Sequence, residues 1–275
     1  MGIFQQQSEQ SAMEVRSFLW ENKVKKLPLR ISKTNKIKAP EKVPEDVYWE
    51  EYYELSDIHY EWNDGFLEEK PVSDYKAIAM FLWFMELLGH FIKVYPIGKI
   101  MTMEMGFRMK TAQKTVIRKP DAGVILNTNP VDLNETDIRY SGIVDLCVEL
   151  LSDSNKKNIE RDTKIKKEEY CLGGVEEYFI LDGKGKRTVF YHRLQSGKYA
   201  KIEPVDGIVK SKILPGFQLR IDDLYSRPSL EEMSGNKVYR DFVMPFYQAE
   251  KEKVKIEFKR AEQEKQRAEQ AEQRA

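Results

Sequence analysis

"GIVDLCVELLSDSNKKNIERDTKIKKEEYCLGG", residues 142–174, decides the fold. Ile143 to Leu151 reads as a strand nearly apolar on both faces, as in the middle of a covered sheet. Ser154 or Asn155 can cap the helix that follows, and Gly173-Gly174 stops it. Within this apolar strand stands Glu149. A carboxylate there loses hydration and, once ionised, needs a partner or a metal. In the helix, a 100° step per residue puts Ile159, Thr163, Lys166 and Tyr170 on one stripe, with Asp162 flanking it. Lys164, Lys167 and Glu168 turn to the other side. A lysine is thus expected in the middle of the inward face.

Upstream, Asp121 poses the same question as Glu149. It follows Pro120 and opens the apolar run "AGVIL". Two acids at corresponding places on neighbouring strands repel unless a divalent cation lies between them. Oxygen-only ligands suit Mg²⁺ or Mn²⁺ better than zinc. Lys166 can snorkel, pair with a buried acid, or reach a catalytic centre. Taken singly, each of these three residues is more often structural than functional. Two acids and a lysine converging on one end of a sheet are what phosphodiester cleavage requires. The acids hold the metal, which acidifies a water and neutralises charge on the phosphate, and the lysine orients that water or stabilises the phosphate.

Further outward, residues 1–43 read as an extended basic lead-in, 44–225 as an α/β domain, and 226–275 as a linker and a charged C-terminal helix. Asn63-Asp64-Gly65 signals a hairpin between "HYEW" and "FLEE". Tyr75 to Val94 is an apolar helix, interrupted by Glu86 and His90, that reads as buried rather than membrane-spanning. "IGKIMTMEMGFRMK" and "KTVIRKPDAGVILN" are each one strand candidate. "VEEYFILD", "RTVFYHRL" and "YAKIEP" continue the sheet, and "ILPGFQLRIDDL" closes the domain. The tail repeats "RAEQEKQ" and "RAEQAEQ" at heptad length, but Phe258 is its last large apolar residue. A solvated single helix is expected, with weak self-association as a homodimer, or a coiled coil, as the lesser reading.

"KPDAGVIL", "DLCVELLSDS", "RDTKIKKEEYCLGGVEEYFILD", "VFYHRL" and "ILPGFQL", with "YEWNDGFLEE" before them, resemble the successive motifs of the Uma-two family from about Tyr48 to Leu224. The resemblance implies an endonuclease of the PD-(D/E)XK, restriction-endonuclease-like fold, with a mixed central sheet flanked by helices. It assigns Asp121 as the first acid, Glu149 as the second, Lys166 as the helix-borne lysine and Glu61 as the early glutamate. Asp162 and Tyr170 are further candidates beside Lys166. Leu151 stands where the common pattern has lysine. Ser152-Asp153-Ser154 replaces Ser-Pro-Ser, Glu176 replaces a proline, and the histidine that opens the family's apolar helix is absent.

Composition sets the rivals. The 275 residues are 41% hydrophobic and 33% charged, with 45 basic and 45 acidic residues and a formal net charge of +0. Any nucleic-acid surface is therefore local, supplied by stretches such as "NKKNIERDTKIKKEE". No signal peptide is expected from "MGIFQQQSEQSAMEV", and Cys147 and Cys171 suit a reduced, cytoplasmic chain. His59, His90 and His192 have no ligand spacing, and no nucleotide-binding loop is present. The leading reading is a Mg²⁺-dependent endodeoxyribonuclease acting on DNA away from any membrane. The alternatives are an inactive nuclease fold that binds DNA, and a scaffold whose C-terminal helix binds a protein.

Overall fold

A computed structural model describes residues 42–272 apart from Asp57, Val72, residues 103–104 and residues 153–155. The expected lead-in falls almost wholly outside the described residues, as do the expected caps Ser154 and Asn155.

Chain order runs from α1 (Glu45–Val47, continued by a π turn Tyr48–Tyr52) to the hairpin β1 (Tyr60–Asn63) and β2 (Phe66–Glu69). Asp64 and Gly65 form its two-residue turn, with φ of 48° and 96°. Two successive positive φ values make a type I′ turn, whose twist matches the strands it joins. Then comes α2 (Tyr75–Val94), whose N-terminus is capped by the Asp74 carboxylate accepting from the Ala77 N–H at 2.9 Å.

Each of the two strand candidates that follow is two strands. β3 (Gly98–Thr102) and β4 (Phe107–Lys110) come from the first, β5 (Thr115–Arg118) and β6 (Ala122–Leu126) from the second. β4 and β5 join the hairpin in a four-stranded sheet ordered β2-β1-β5-β4, while β3 and β6 belong to a six-stranded sheet. The chain crosses between the sheets at Lys119-Pro120-Asp121. Proline has no N–H to give to a ladder, so pairing stops there.

The six-stranded sheet is the mixed central sheet. Its order is β10-β9-β8-β7-β6-β3, with β7 (Leu146–Leu150), β8 (Glu177–Leu181), β9 (Val189–Arg193) and β10 (Tyr199–Lys201). β7 and β8 are parallel and the other neighbours antiparallel. Between β7 and β8 runs α3, built of Lys156–Glu160, a π turn Arg161–Ile165, and Lys166–Gly173. Gly174 ends it at φ 96°.

One face of this sheet carries Ala122, Val124, Leu146, Val148 and Phe179 under the wholly buried Phe84, Leu87, Leu88 and Phe91 of α2. By length and composition α2 could cross a membrane, but these side chains face the protein's own core. Packed structure continues past residue 225. After β11 (Ile208–Lys210), β12 (Gln218–Arg220) and α4 (Asp223–Ser226) comes α5 (Leu230–Gly235), and its Met233 together with Val238, Tyr239, Phe242 and Val243 is buried in the same cluster, where the sequence suggests linker. Beyond it α6 (Tyr247–Glu272) exposes Val254, Ile256 and Phe258. The other face carries Ile125, Cys147, Leu151, Tyr178 and Ile180 against Tyr170 of α3 and Phe107, Met109 and Val116 of the second sheet.

Candidate active site

The site lies where the two sheets and α3 meet, and strand parity puts it there. Residues alternate faces along a strand, so Glu149 shares the face of Cys147 and Leu151, and Asp121 that of Gly123 and Ile125. The antiparallel register pairs Ala122 with Val148 and Gly123 with Cys147. One step further, Asp121 stands across from Glu149. The Leu150 N–H donates to Asp121 Oδ2 at 2.7 Å and locks that juxtaposition.

Lys166 is fully buried, its amine 2.9 Å from Glu149 Oε1, 3.0 Å from Glu61 Oε1 and 3.8 Å from Asp162 Oδ1. Tyr170 donates its hydroxyl to the same Glu149 oxygen at 2.7 Å. The sequence-derived set of Asp121, Glu149, Lys166, Glu61, Asp162 and Tyr170 therefore converges. Asp162 lies deeper than a regular helix suggests, because the π turn takes an extra residue and brings Arg161 and Asp162 inward with Lys166. The Tyr178 hydroxyl occupies the Asp162 carbonyl at 2.8 Å.

Further charged residues extend the cluster, among them Lys114, whose amine contacts Glu169 Oε1 at 2.5 Å. Glu61 and Glu68 are cross-strand partners in the hairpin, an arrangement that repels. Arg118, fully buried at the end of β5, resolves it: its Nη1 contacts Glu61 Oε2 at 3.1 Å and Glu68 Oε2 at 2.5 Å, and its Nε donates to Glu169 Oε2 at 2.7 Å. The Lys119 N–H donates to Glu61 Oε1 at 2.9 Å. Arg161 pairs with Asp162 at 3.1 Å and reaches the Glu69 carbonyl. Lys70, just past β2, places its amine 2.9 Å from Asp121 Oδ1 and 2.6 Å from the Lys119 carbonyl. Sequence reading missed Arg118, Lys70, Arg161, Glu68 and Glu169. The signal for Arg118 was present: an arginine closing the apolar run "TVI" two residues before the Pro-Asp pair. Lys70 carries no such mark.

Electrostatics divides the acids. Burial alone would raise Glu61, but Lys166 and Arg118 outweigh it and hold that carboxyl well below the usual range. Burial pushes Glu149 up to about 7, against the pull of Lys166 and with Asp121 adding to the rise. Burial also raises Asp162, opposed by Lys166 and Arg161. Burial would lower Lys166, yet Glu149, Glu61 and Asp162 keep it firmly ammonium. Glu149 is thus the acid left short of positive charge, and a cation beside Asp121 and Glu149 would answer both the repulsion and the desolvation.

The donors fit a hard cation. Asp121 Oδ1 and the Lys119 carbonyl already hold the Lys70 ammonium, while Glu149 accepts its hydrogen bonds from Lys166 and Tyr170 on Oε1. Among the described residues no three or more His, Cys, Asp or Glu side chains form a ligand group. Two carboxylates and a carbonyl are not a protein cage of the zinc type. They match Mg²⁺, which keeps waters and takes one or two carboxylates.

The family model described as "Uma2: Putative restriction endonuclease" matches residues 49–222. No curated protein matches the chain. Among solved structures, the crystal structure of a "putative nuclease belonging to DUF820" from Anabaena variabilis ATCC 29413 is similar, with a TM-score of 0.50 and 17% identity over 62% of this chain and 92% of that one. At that identity the likeness speaks for the fold. The family match spans more than half the chain, including the crossing that sets Asp121, the strand that carries Glu149 and the helix that carries Lys166: the chain belongs to the Uma2 family of restriction-endonuclease-like proteins.

Proposed function

We propose that the chain is a divalent-metal-dependent endodeoxyribonuclease, with Asp121 and Glu149 holding Mg²⁺ or Mn²⁺. The observation that carries this reading is the cross-strand placement of Asp121 and Glu149 on one face, with Lys166 tied to the second acid. A bound divalent ion there supplies an acidified water and neutralises charge on the phosphate.

The chain's own residues do the arranging. Lys166 and Tyr170 both hold Oε1 of Glu149, which fixes the carboxylate plane and leaves its other oxygen for a cation. The Leu150 N–H fixes Asp121 in the same way. Glu61, ionised and wedged between Lys166 and Arg118, locates the Lys166 amine. Lys166 has no exposed surface, so it is a positioning residue here rather than a phosphate contact. Asp121 and Lys70 are partly open, with side chains 14% exposed each, as is Glu68 at 25%, and DNA would approach from that side. The buried free thiols of Cys147 and Cys171 suit a reducing cytoplasm.

Plasmid nicking tests the proposal: supercoiled DNA with Mg²⁺, then with EDTA, using wild type, Asp121→Ala and Glu149→Gln. The reading expects metal-dependent nicking by wild type alone. Equal nicking by all three refutes it. Both Asp121 oxygens are already engaged, and that observation favours a second reading, a non-cleaving DNA-binding module. Salt-sensitive DNA binding with no nicking in any metal would select it.

A further inference from the structure

The Lys70 amine is unlike the other cations of the cluster. Lys166 and Arg118 have no exposed side-chain surface and each contacts three acids, and Arg161 pairs with Asp162, while Lys70 is 14% exposed and pairs with Asp121. Its oxygens are Asp121 Oδ1 at 2.9 Å and the Lys119 carbonyl at 2.6 Å, one carboxylate and one main-chain carbonyl, the ligand types a hard divalent ion takes. Its charge acts on Glu149 and Glu61 as well as on Asp121. Lysine suits such a place, because its charge is a compact point at the end of a flexible stem.

Resting on the nuclease reading above, we propose that the Lys70 ammonium is a resident counter-ion seated at the cation position of the site. A divalent ion gains Asp121 only by displacing that amine, which swings outward to the open edge. The seat of Asp121 Oδ1 and the Lys119 carbonyl is shared between two cations, one tethered and one diffusible. Tethering makes Lys70 the standing occupant at low metal concentration. The apparent metal affinity is then the intrinsic affinity reduced by the fraction of molecules with the seat vacated. By linkage, metal weakens the Lys70–Asp121 pair as much as that pair weakens metal.

The test uses the full chain and no DNA. Calorimetric titration with MnCl₂ is run on wild type, Lys70→Met, Lys70→Arg and Lys210→Met, the last an exposed lysine on β11. The expected result is binding about tenfold or more tighter in Lys70→Met, with Lys70→Arg and Lys210→Met close to wild type. In parallel, wild-type protein is treated with an amine-acetylating reagent with and without saturating Mn²⁺, and Lys70 modification is read by mass spectrometry. Lys70 should be protected without metal and modified severalfold faster with it. Equal Mn²⁺ affinity in wild type and Lys70→Met, or Lys70 acetylation that ignores bound metal, overturns the role of Lys70 and leaves the nuclease reading standing. Absence of Mn²⁺ binding in every protein overturns both. If Lys70→Met does not fold, the wild-type acetylation result decides alone.

Discussion

Replacing Lys166 by methionine removes one charge while keeping a stem of similar shape. The amine lies 2.9 Å from Glu149, 3.0 Å from Glu61 and 3.8 Å from Asp162, with no exposed surface. Removing one partner of a buried ion pair costs about 3–5 kcal/mol, because the remaining charge stays desolvated. The loss should depend on pH. Without the ammonium, Glu149, already raised by burial, loses its largest opposing charge and rises further, and Glu61 loses the largest of the charges that lower it, so the folded variant holds protons that the unfolded chain has released. The penalty for ionising them is absent below about pH 4.5 and grows as pH rises. In wild type, Glu61 lies below its ordinary value, and the stability it contributes is present above about pH 4.5 and lost only in stronger acid. The gap between the two proteins is therefore widest at about pH 8 and narrowest near pH 5. Urea denaturation at those two pH values, without added metal, measures it. A gap under about 1 kcal/mol at the higher pH, or one that does not shrink at the lower, refutes the ion-pair account of Lys166.

Three other outcomes follow from the same geometry. Glu177 is buried, accepts from the Ser211 hydroxyl at 2.7 Å and the Lys212 N–H at 2.5 Å, and burial pushes its carboxyl up to about 7 despite both bonds. Its raised value makes stability fall between about pH 4.5 and 7 by about 3 kcal/mol, and Glu177→Gln should flatten that part of the stability–pH curve. Gly65→Ala places a β-carbon at φ 96° and 3.1 Å from Lys42, so a loss of about 1–2 kcal/mol is expected in chemical denaturation, with register errors in the hairpin that carries Glu61. Ending the chain after Phe246 removes α6, whose ion pair to the rest of the protein among the described residues is the exposed Lys251–Glu231 contact. The melting temperature and the nicking rate should both be nearly unchanged, since such pairs contribute about 0–1 kcal/mol.

The parts of the fold that reading recovered are those written in local rules. The Asn63-Asp64-Gly65 turn, the Gly173-Gly174 stop and the apolar runs of α2, β7 and β8 each follow from a few adjacent residues. The two split strands did not. Apolar alternation resumes after Pro120, and nothing local says that the strand before it belongs to another sheet. The site was legible where chemistry is unusual: Asp121 and Glu149 are acids in apolar strands, and Lys166 is a lysine on an apolar stripe. Arg118 and Lys70 were not found, because their partners are separated in sequence, Arg118 from Glu169 by 51 residues and Lys70 from Asp121 by 51. The depth of Asp162 depends on a π turn, and the residues "RDTKI" read like any helix. Met233 to Val243 read as linker because Ser234, Gly235 and Asn236 break the apolar pattern just before the buried Val238, Tyr239, Phe242 and Val243.

The central claim is that Asp121 and Glu149 share one cation. Anomalous diffraction from crystals soaked in Mn²⁺ tests it most directly. The account predicts a single strong peak in contact with an oxygen of each carboxylate, and its loss in Asp121→Asn crystals soaked alike. A peak bound to one acid only, or manganese confined to the surface while the Lys70–Asp121 pair stays closed, would contradict it.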